Sequence, residues 1–394
     1  MRIGLDATVL APDTRHSGIG KYTISLLNNL AQAETSNEYL AYGPPACVRP
    51  ADLHPAVRWK ALPNVRLGRL SAFATSMWIL PRVARSDRLD LFHAPTVHPR
   101  PSLPAVPRRM PCPVAVTIHD LIPLTFYHKG PDRLPLRWRT FYRWNLRAAA
   151  SADLVIAVSE AARGELTTTL GSIGNRARVI HNGVDAAPPT IAKQAGTRPY
   201  VLFAGSFEAR KNLARFVRAY SRAVTGGLSY DLVVMANPRT GDRSVVDSEI
   251  TSAGLAGRVS FTRGVTDAEL WDLYGNAAVV AFPSLAEGFG LPPLEAMAAG
   301  TPVIASRLPA LEEVLGDAAA FVDPYSEVSM AEAMLALEAD VSRRESLAKA
   351  GLRQARLYSW RDCADQTLTA YQEICASRLP ADAETHRRAR PEAA

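Results

Sequence analysis

Cysteine is scarce in this 394-residue chain. Its four copies, Cys47, Cys112, Cys363 and Cys375, stand far apart with no Cys-x-x-Cys pair. That spacing excludes a disulfide framework and a compact zinc module, and it fits reduced thiols in a cytosolic protein. Long apolar runs are also missing: a membrane span needs about 20 residues, and stretches such as 71–80 reach half that. The opening Met1-Arg2-Ile3-Gly4-Leu5-Asp6 meets a carboxylate too early for the apolar core of a signal peptide. The expectation is a cytoplasmic protein whose membrane contact is peripheral. There is no repeat at solenoid spacing and no Asp-x-Asp pair. His93, His98, His119 and His128 fit no compact ligand spacing, so neither a metal nor another cofactor is expected.

What is present describes a large globular protein. Apolar residues make up 47 % and charged residues 21 % of the chain, ordinary for a globular protein and enough to bury two cores. Basic residues exceed acidic ones by 45 to 38, and the excess is uneven. Residues 1–190 hold 23 basic and 13 acidic side chains (+10), and residues 191–394 hold 22 and 25 (−3). The first half is therefore expected to face something anionic.

Short β-branched runs alternate with helix-period segments throughout, the pattern of βα units building parallel sheets. Strands are expected at 2–6, 39–42, 89–93, 114–118, 154–158 and 179–181, then at 200–204, 231–235, 259–261, 278–282, 302–305 and 319–322. This divides the chain into a domain over 1–185, a Pro-containing linker over 186–199, and a domain over 200–358. A bracing helix over 359–376 and a charged, disordered tail over 377–394 complete it. Helix-like stretches are expected at 326–358 and 360–376.

Residues 282–306 read F-P-S-L-A-E-G-F-G-L-P-P-L-E-A-M-A-A-G-T-P-V-I-A-S. A strand enters a loop with Gly288 and Gly290, Pro292-Pro293 opens a helix, and Gly300 closes it. Bare N–H groups at such a helix start attract phosphate. Glu287 and Glu295 flank that point, and acids beside an anion site are better suited to accept hydrogen bonds from sugar and ribose hydroxyls. Singly, each would read as a dipole complement or a solvated loop acid. The whole string resembles the E-x7-E signature of retaining glycosyltransferases of the GT-B fold, in detail family 4.

Further segments carry the same resemblance. Gly205-Ser206-Phe207-Glu208-Ala209-Arg210-Lys211-Asn212-Leu213 is similar to G-x-x-E-x-R-K-N-L, with Ser206 where some members carry another Arg. Arg210 and Lys211 offer a diphosphate one forked and one point cation. Arg263-Gly264-Val265-Thr266-Asp267 resembles the loop that reads the nucleobase, with Thr266 or Asp267 capping the next helix. Asn237-Pro238-Arg239-Thr240-Gly241 stands where relatives have a Gly-rich loop. Ser17-Gly18-Ile19-Gly20-Lys21-Tyr22 is similar to G-I-G-R/K-Y, and Thr117-Ile118-His119-Asp120-Leu121 ends a strand where doubly wound folds meet ligands. His181-Asn182-Gly183-Val184-Asp185 matches N-G-V-D at the end of the first domain, its Asn-Gly a turn.

The resemblance implies two Rossmann-like domains across a cleft and a retaining hexosyl transfer. Glu287, Arg210, Lys211 and His119 are implied as catalytic residues, His119 facing the transferred sugar. Glu295, Gly288, Phe289, Gly290, Leu291, Val265, Gly18 and Gly20 are implied as donor-binding, and Asp120 as acceptor-binding, holding its loop or the imidazole. Bacterial mannosyltransferases of surface-polysaccharide assembly are the nearest kind, implying mannose from GDP-mannose and a lipid-linked saccharide acceptor. A UDP-sugar donor, a nucleotide-sugar epimerase on the same fold and a non-catalytic binder are the alternatives. Retention admits a covalent intermediate on Glu287 or front-face attack in which the diphosphate takes the acceptor's proton. The second is favoured, since Glu287 suits hydroxyl binding.

Residues 133–147 read R-L-P-L-R-W-R-T-F-Y-R-W-N-L-R. At about 100° per residue, Arg133, Arg137, Arg139, Arg143 and Arg147 share an arc of about 160° with Trp144 among them. A solvated helix with one apolar face is one reading. An interfacial surface on anionic lipid, through Arg137, Arg139, Arg143, Trp144 and Arg147, is the other. No nucleic-acid module occurs, so nucleic acid is not an expected partner.

Overall fold

Two parallel sheets organise the computed structural model, which describes all residues except 13, 34–35, 46, 65–70, 98–105, 108, 128–133, 190, 192–197, 263 and 379–394. The first sheet contains β1 (Arg2–Asp6), β2 (Glu38–Gly43), β3 (Val57–Ala61), β4 (Leu91–Ala94), β5 (Val114–Ile118), β6 (Leu154–Ala157) and β7 (Arg178–Val179). Their order is β3-β2-β1-β4-β5-β6-β7, all neighbours parallel. The second contains β8 (Tyr200–Phe207), β9 (Asp231–Gly241), β10 (Val259–Thr262), β11 (Val279–Phe282), β12 (Val303–Ser306) and β13 (Ala319–Val322), in the order β10-β9-β8-β11-β12-β13. Helices cover both faces, so central strands such as β5 are buried at every position and read as unbroken apolar runs.

Three elements differ from the sequence reading. Strand β3, V-R-W-K-A, lies at the sheet edge with only Val57 buried, so its outward Arg58 and Lys60 hid it. Strand β9 continues past Met235 to Gly241 through a register shift against β8 between Ser206 and Phe207. The stretch 326–358 is two helices, Glu327–Ala339 and Val341–Ala355, because Asp340 leaves helical geometry and caps the second through Arg343 N. Most of the expected linker between 190 and 197, and all but two residues of the expected tail, lie outside the described residues.

The Trp360–Ser377 helix follows the second domain in sequence but packs on the first. Its Trp360, Cys363, Ala364, Leu368 and Tyr371 share a core with Ile3, Leu5, Tyr22 and Leu26. A buried polar chain ties it to the sheet interior. Tyr371 Oη pairs with His93 Nδ1 at 2.6 Å, His93 Nε2 with Thr117 Oγ1 at 2.9 Å, and Thr117 Oγ1 with Tyr22 Oη at 2.9 Å. A buried network with every member partnered rigidifies the core it crosses.

Burial pushes His93 down to about 3, whereas an unfolded chain protonates it near pH 6.5. Between those values the unfolded state holds the extra proton, so stability rises with pH and is lost on acidification below about 6.5. Urea midpoints between pH 7.5 and 5 should fall with acid, the His93 site alone contributing up to about 1.4 kcal/mol per pH unit. His93→Gln should flatten that slope; an unchanged slope would contradict the assignment.

Candidate active site

The carboxyl ends of β8 and β11 carry the cluster that the sequence singles out. After β8 the chain makes a single turn, Ala209–Lys211, and Asn212 takes a left-handed conformation (φ +63°). Its side-chain amide donates to the carbonyls of Pro283 (3.0 Å) and Pro324 (2.7 Å), and Leu285 N donates to Arg210 O at 2.7 Å. These bonds tie the turn to the loop after β11 and bring Arg210 and Lys211 to Glu287. One oxygen, Glu287 Oε1, accepts from Arg210 Nη1 at 3.0 Å and from Lys211 Nζ at 2.6 Å. Glu208 Oε2 accepts from Arg210 Nε at 3.0 Å.

Burial works against the Glu287 charge, yet Lys211 and Arg210 outweigh it and hold the carboxyl below the usual range. Burial pushes Lys211 down despite Glu287, while Arg210 stays above its ordinary value because Glu287 and Glu208 overcome its burial. Arg210 and Lys211 thus share one oxygen of Glu287 while Glu208 also holds Arg210, so two cations face two carboxylates and a diphosphate can compete for both cations.

Glycine shapes the loop that follows. A Cβ on Gly288 would lie 1.9 Å from His119 O, so only glycine lets this loop reach the first domain, where Ser159 Oγ donates to Gly288 O at 2.7 Å. Gly290 (φ +96°) caps the Leu291–Ala298 helix. Pro292 and Pro293 occupy the next positions and lack N–H groups, which confines the free donors of this helix start to Gly290 and Leu291. Phe289 is buried.

His119 faces this loop from the first domain. Burial pushes it down to about 4, so near neutral pH the ring is uncharged. Its Nε2 donates to Pro95 O at 2.9 Å, leaving Nδ1 as an acceptor, and its ring meets Tyr22 edge-on at 4.7 Å. Pro95, rather than Asp120, therefore orients the imidazole. Asp120 holds its own loop, accepting from Ile122 N at 3.0 Å; burial raises its carboxyl while Arg210 pulls it down. The two glycines of the first motif divide. Gly18 borders the cleft, its Cβ position 4.0 Å from Leu291. Gly20 N donates to Ser17 Oγ at 3.1 Å and its Cβ position lies 2.2 Å from Arg15 O, so it shapes the turn instead of offering its N–H to a donor.

Glu295 is buried with a partner from each domain. Its Oε1 accepts from Lys21 Nζ at 2.7 Å and its Oε2 from Tyr274 Oη at 3.1 Å. Tyr274 belongs to the Asp267–Asn276 helix, which Thr266 caps in a reciprocal box with Glu269, immediately after half-buried Val265. Neither Tyr274 nor Pro95 carries a local signal: one is an aromatic on a helix, the other donates only a backbone carbonyl. Lys21 lies within the Ser17-Gly18-Ile19-Gly20-Lys21-Tyr22 motif, but nothing local points it at Glu295.

The basic helix runs Leu136–Ala149 and buries Tyr142, Asn145, Leu146 and Ala149. Arg137, Arg143 and Arg147 are exposed, and Arg133 lies outside the described residues. Arg139 departs from the expected exposed arc. It flanks the buried face three residues before Tyr142 and is half-buried, with its Nε lacking a protein partner. Trp144 is also drawn in, packing against Phe73 (5.5 Å) and Phe141 (6.0 Å). With Leu136, Arg137 and Thr140 these rings line an open groove of about 680 Å³. No described helix is long and apolar enough to cross a membrane, and no described group of three or more His, Cys, Asp or Glu could hold a metal ion.

Known proteins resemble this chain over most of its length. Residues 16–188 match the family model described as Glycosyltransferase Family 4, and residues 190–354 that described as Glycosyl transferases group 1. An O-antigen chain mannosyltransferase B of Escherichia coli is 28 % identical over 90 % of this chain and 96 % of its own. The O-antigen chain mannosyltransferase RfbU of Salmonella typhimurium is 30 % identical over 57 % of this chain and 60 % of its own. Among solved structures, a sucrose-phosphate synthase from Thermosynechococcus elongatus superposes with a TM-score of 0.80 at 21 % identity, covering 96 % of this chain and all of the other. Anabaena HepE, solved with UDP and glucose, gives 0.71 at 18 %, covering 95 % of this chain and all of the other. The chain therefore belongs to the glycosyltransferases of the GT-B fold, with a family 4 first domain and a group 1 second domain.

Proposed function

We propose that this glycosyltransferase moves mannose from GDP-mannose onto a hydroxyl of a lipid-linked saccharide, with retention, during surface-polysaccharide assembly. The observation that carries the reading is the triad in which Arg210 and Lys211 share one oxygen of Glu287. A donor diphosphate competes for those cations and is also met by the N–H groups of Gly290 and Leu291. Glu287, released from part of its pairing, accepts hydroxyls of the donor sugar, and Glu295 those of the ribose. The neutral His119 offers Nδ1 to the same sugar from the opposite side. As the bond from the anomeric carbon to the diphosphate oxygen breaks, the developing charge meets cations already in place, the largest source of rate in this kind of site. The acceptor oxygen bonds to the same face of that carbon and its proton passes to the departing diphosphate. None of these steps draws on a metal or another cofactor.

Mannose is favoured because relatives that match most or much of this chain are named mannosyltransferases. A UDP-sugar donor is the second reading, supported by the HepE complex with UDP and glucose. Calorimetric screening of GDP, UDP and ADP decides between the bases. Glu287→Ala should abolish transfer while the affinity for the matching nucleoside diphosphate stays within about tenfold, or 1.4 kcal/mol. Unchanged turnover would overturn the site. Donor converted without acceptor would mark an epimerase instead.

The acceptor's lipid places this enzyme on the inner face of the cytoplasmic membrane. Exposed Arg137, Arg143 and Arg147 beside the groove of Phe73, Phe141 and Trp144 supply charge and apolar surface on one side of the first domain. Co-sedimentation with phosphatidylglycerol-containing vesicles should weaken on the order of a hundredfold in the Arg137→Glu, Arg143→Glu, Arg147→Glu triple variant. Equal binding of both proteins, or no binding by either, would remove the membrane from the account.

A further inference from the structure

Glu295 and Lys21 lie 274 positions apart and in different domains, yet they make one of the short ion pairs of the cleft, Nζ to Oε1 at 2.7 Å. Lys21 stands on the first turn of the Gly18–Gln32 helix. The same ammonium reaches Asp185 at 3.1 Å, at the point where the chain leaves the first domain. The Glu295 side chain is 7 % exposed, and Lys21 is the only cation paired with it among the described residues. Within its own domain it has one hydrogen-bond partner, the Tyr274 hydroxyl. A buried carboxylate with a single neutral partner is costly, and the cation that pairs with Glu295 comes from the other domain. Burial opposes the charge on Lys21, but Glu295 and Asp185 together keep it above the ordinary lysine value.

We propose that Lys21 is a positioning residue that couples recognition of the donor's ribose to closure of the two domains. The inference rests on the reading of Glu295 as the ribose acceptor and extends it. Each carboxylate oxygen has two lone pairs, and Lys21 and Tyr274 take one on each. The remaining pair of acceptor positions matches a vicinal diol. With the domains together, Lys21 pairs with Glu295 and fixes its plane, and the 2′ and 3′ hydroxyls find both positions ready. With the domains apart, Glu295 loses its counter-charge and its orientation. Ribose binding and closure then favour one another, since each stabilises the arrangement the other needs.

The test uses the full chain and whichever of GDP, UDP or ADP it binds, together with the 2′,3′-dideoxy form of that nucleotide. In the unaltered protein the ribonucleotide should bind at least about tenfold tighter, and small-angle scattering should show contraction with it but not with the dideoxy form. Lys21→Met, or Lys21→Gln if the first folds poorly, should reduce the preference to about threefold or less and remove the contraction. Its dideoxy affinity should stay within about threefold, and Lys21→Arg should restore the preference. A Lys21 variant that weakens both nucleotides equally is an interdomain strut only, and one that leaves the preference intact has no part in ribose recognition; either result overturns the proposal. Glu295→Gln separates the two layers. If it collapses the preference and Lys21→Met does not, the coupling fails alone. If it leaves the preference untouched, the ribose reading of Glu295 fails and the coupling with it.

Discussion

A buried carboxylate held by two cations governs this molecule. Glu287 keeps its charge only because Arg210 and Lys211 reach the same oxygen. They do so only because a single helical turn and the left-handed Asn212 anchor the end of β8 to the loop after β11. Adjacent parallel strands put both ends on one edge of the sheet. The sheet thus brings together cations and a carboxylate from residues more than seventy positions apart, in the crevice where doubly wound folds meet their ligands.

The second constraint is contact between the domains. The Gly288 loop approaches His119 so closely that a side chain would not fit, and Ser159 holds its carbonyl from across the cleft. Glu313 on the second domain accepts from the N–H groups of Glu160 and Ala161 at 2.7 and 2.9 Å and pairs with His181 at 2.8 Å. The Trp360–Ser377 helix returns to the first domain and joins its core, tying the two ends of the chain together. One apolar cluster includes Ile118 of β5, Phe289 and Phe282 of β11, so packing as well as polar bonding continues between the sheets.

Much of the site was legible because its chemistry is local. Glu287, Glu295 and the glycines between them lie within one strand-loop-helix unit, and Arg210-Lys211 sit at one turn, so the strings that carry the family resemblance are contiguous in the chain. Partners brought together by folding left no such trace. The Pro95 carbonyl that orients His119, the Tyr274 hydroxyl and the Lys21 ammonium on Glu295 come from distant segments, and spacing is silent about them. Helix geometry alone also misplaced Trp144, because the neighbouring helix carrying Phe73 covers part of the arc a wheel shows as open, and Arg139, because it borders the buried face of Tyr142 and Leu146. Edge strand β3 escaped notice for the opposite reason, a polar face where strands elsewhere in the sheet are apolar. The charge asymmetry between the halves now has a physical seat. In the proposed reading the second domain meets its anionic donor through a few placed groups rather than net charge, and exposed arginines carry part of the first domain's excess.

The central claim is that the Glu287 triad receives the donor's diphosphate. A crystal structure with the matching nucleoside diphosphate tests it most directly. The account predicts diphosphate oxygens within hydrogen-bond distance of Arg210, Lys211 and the N–H groups of Gly290 and Leu291, with Glu287 freed from at least one cation. A diphosphate bound elsewhere, with both cations still closed on Glu287, would contradict it.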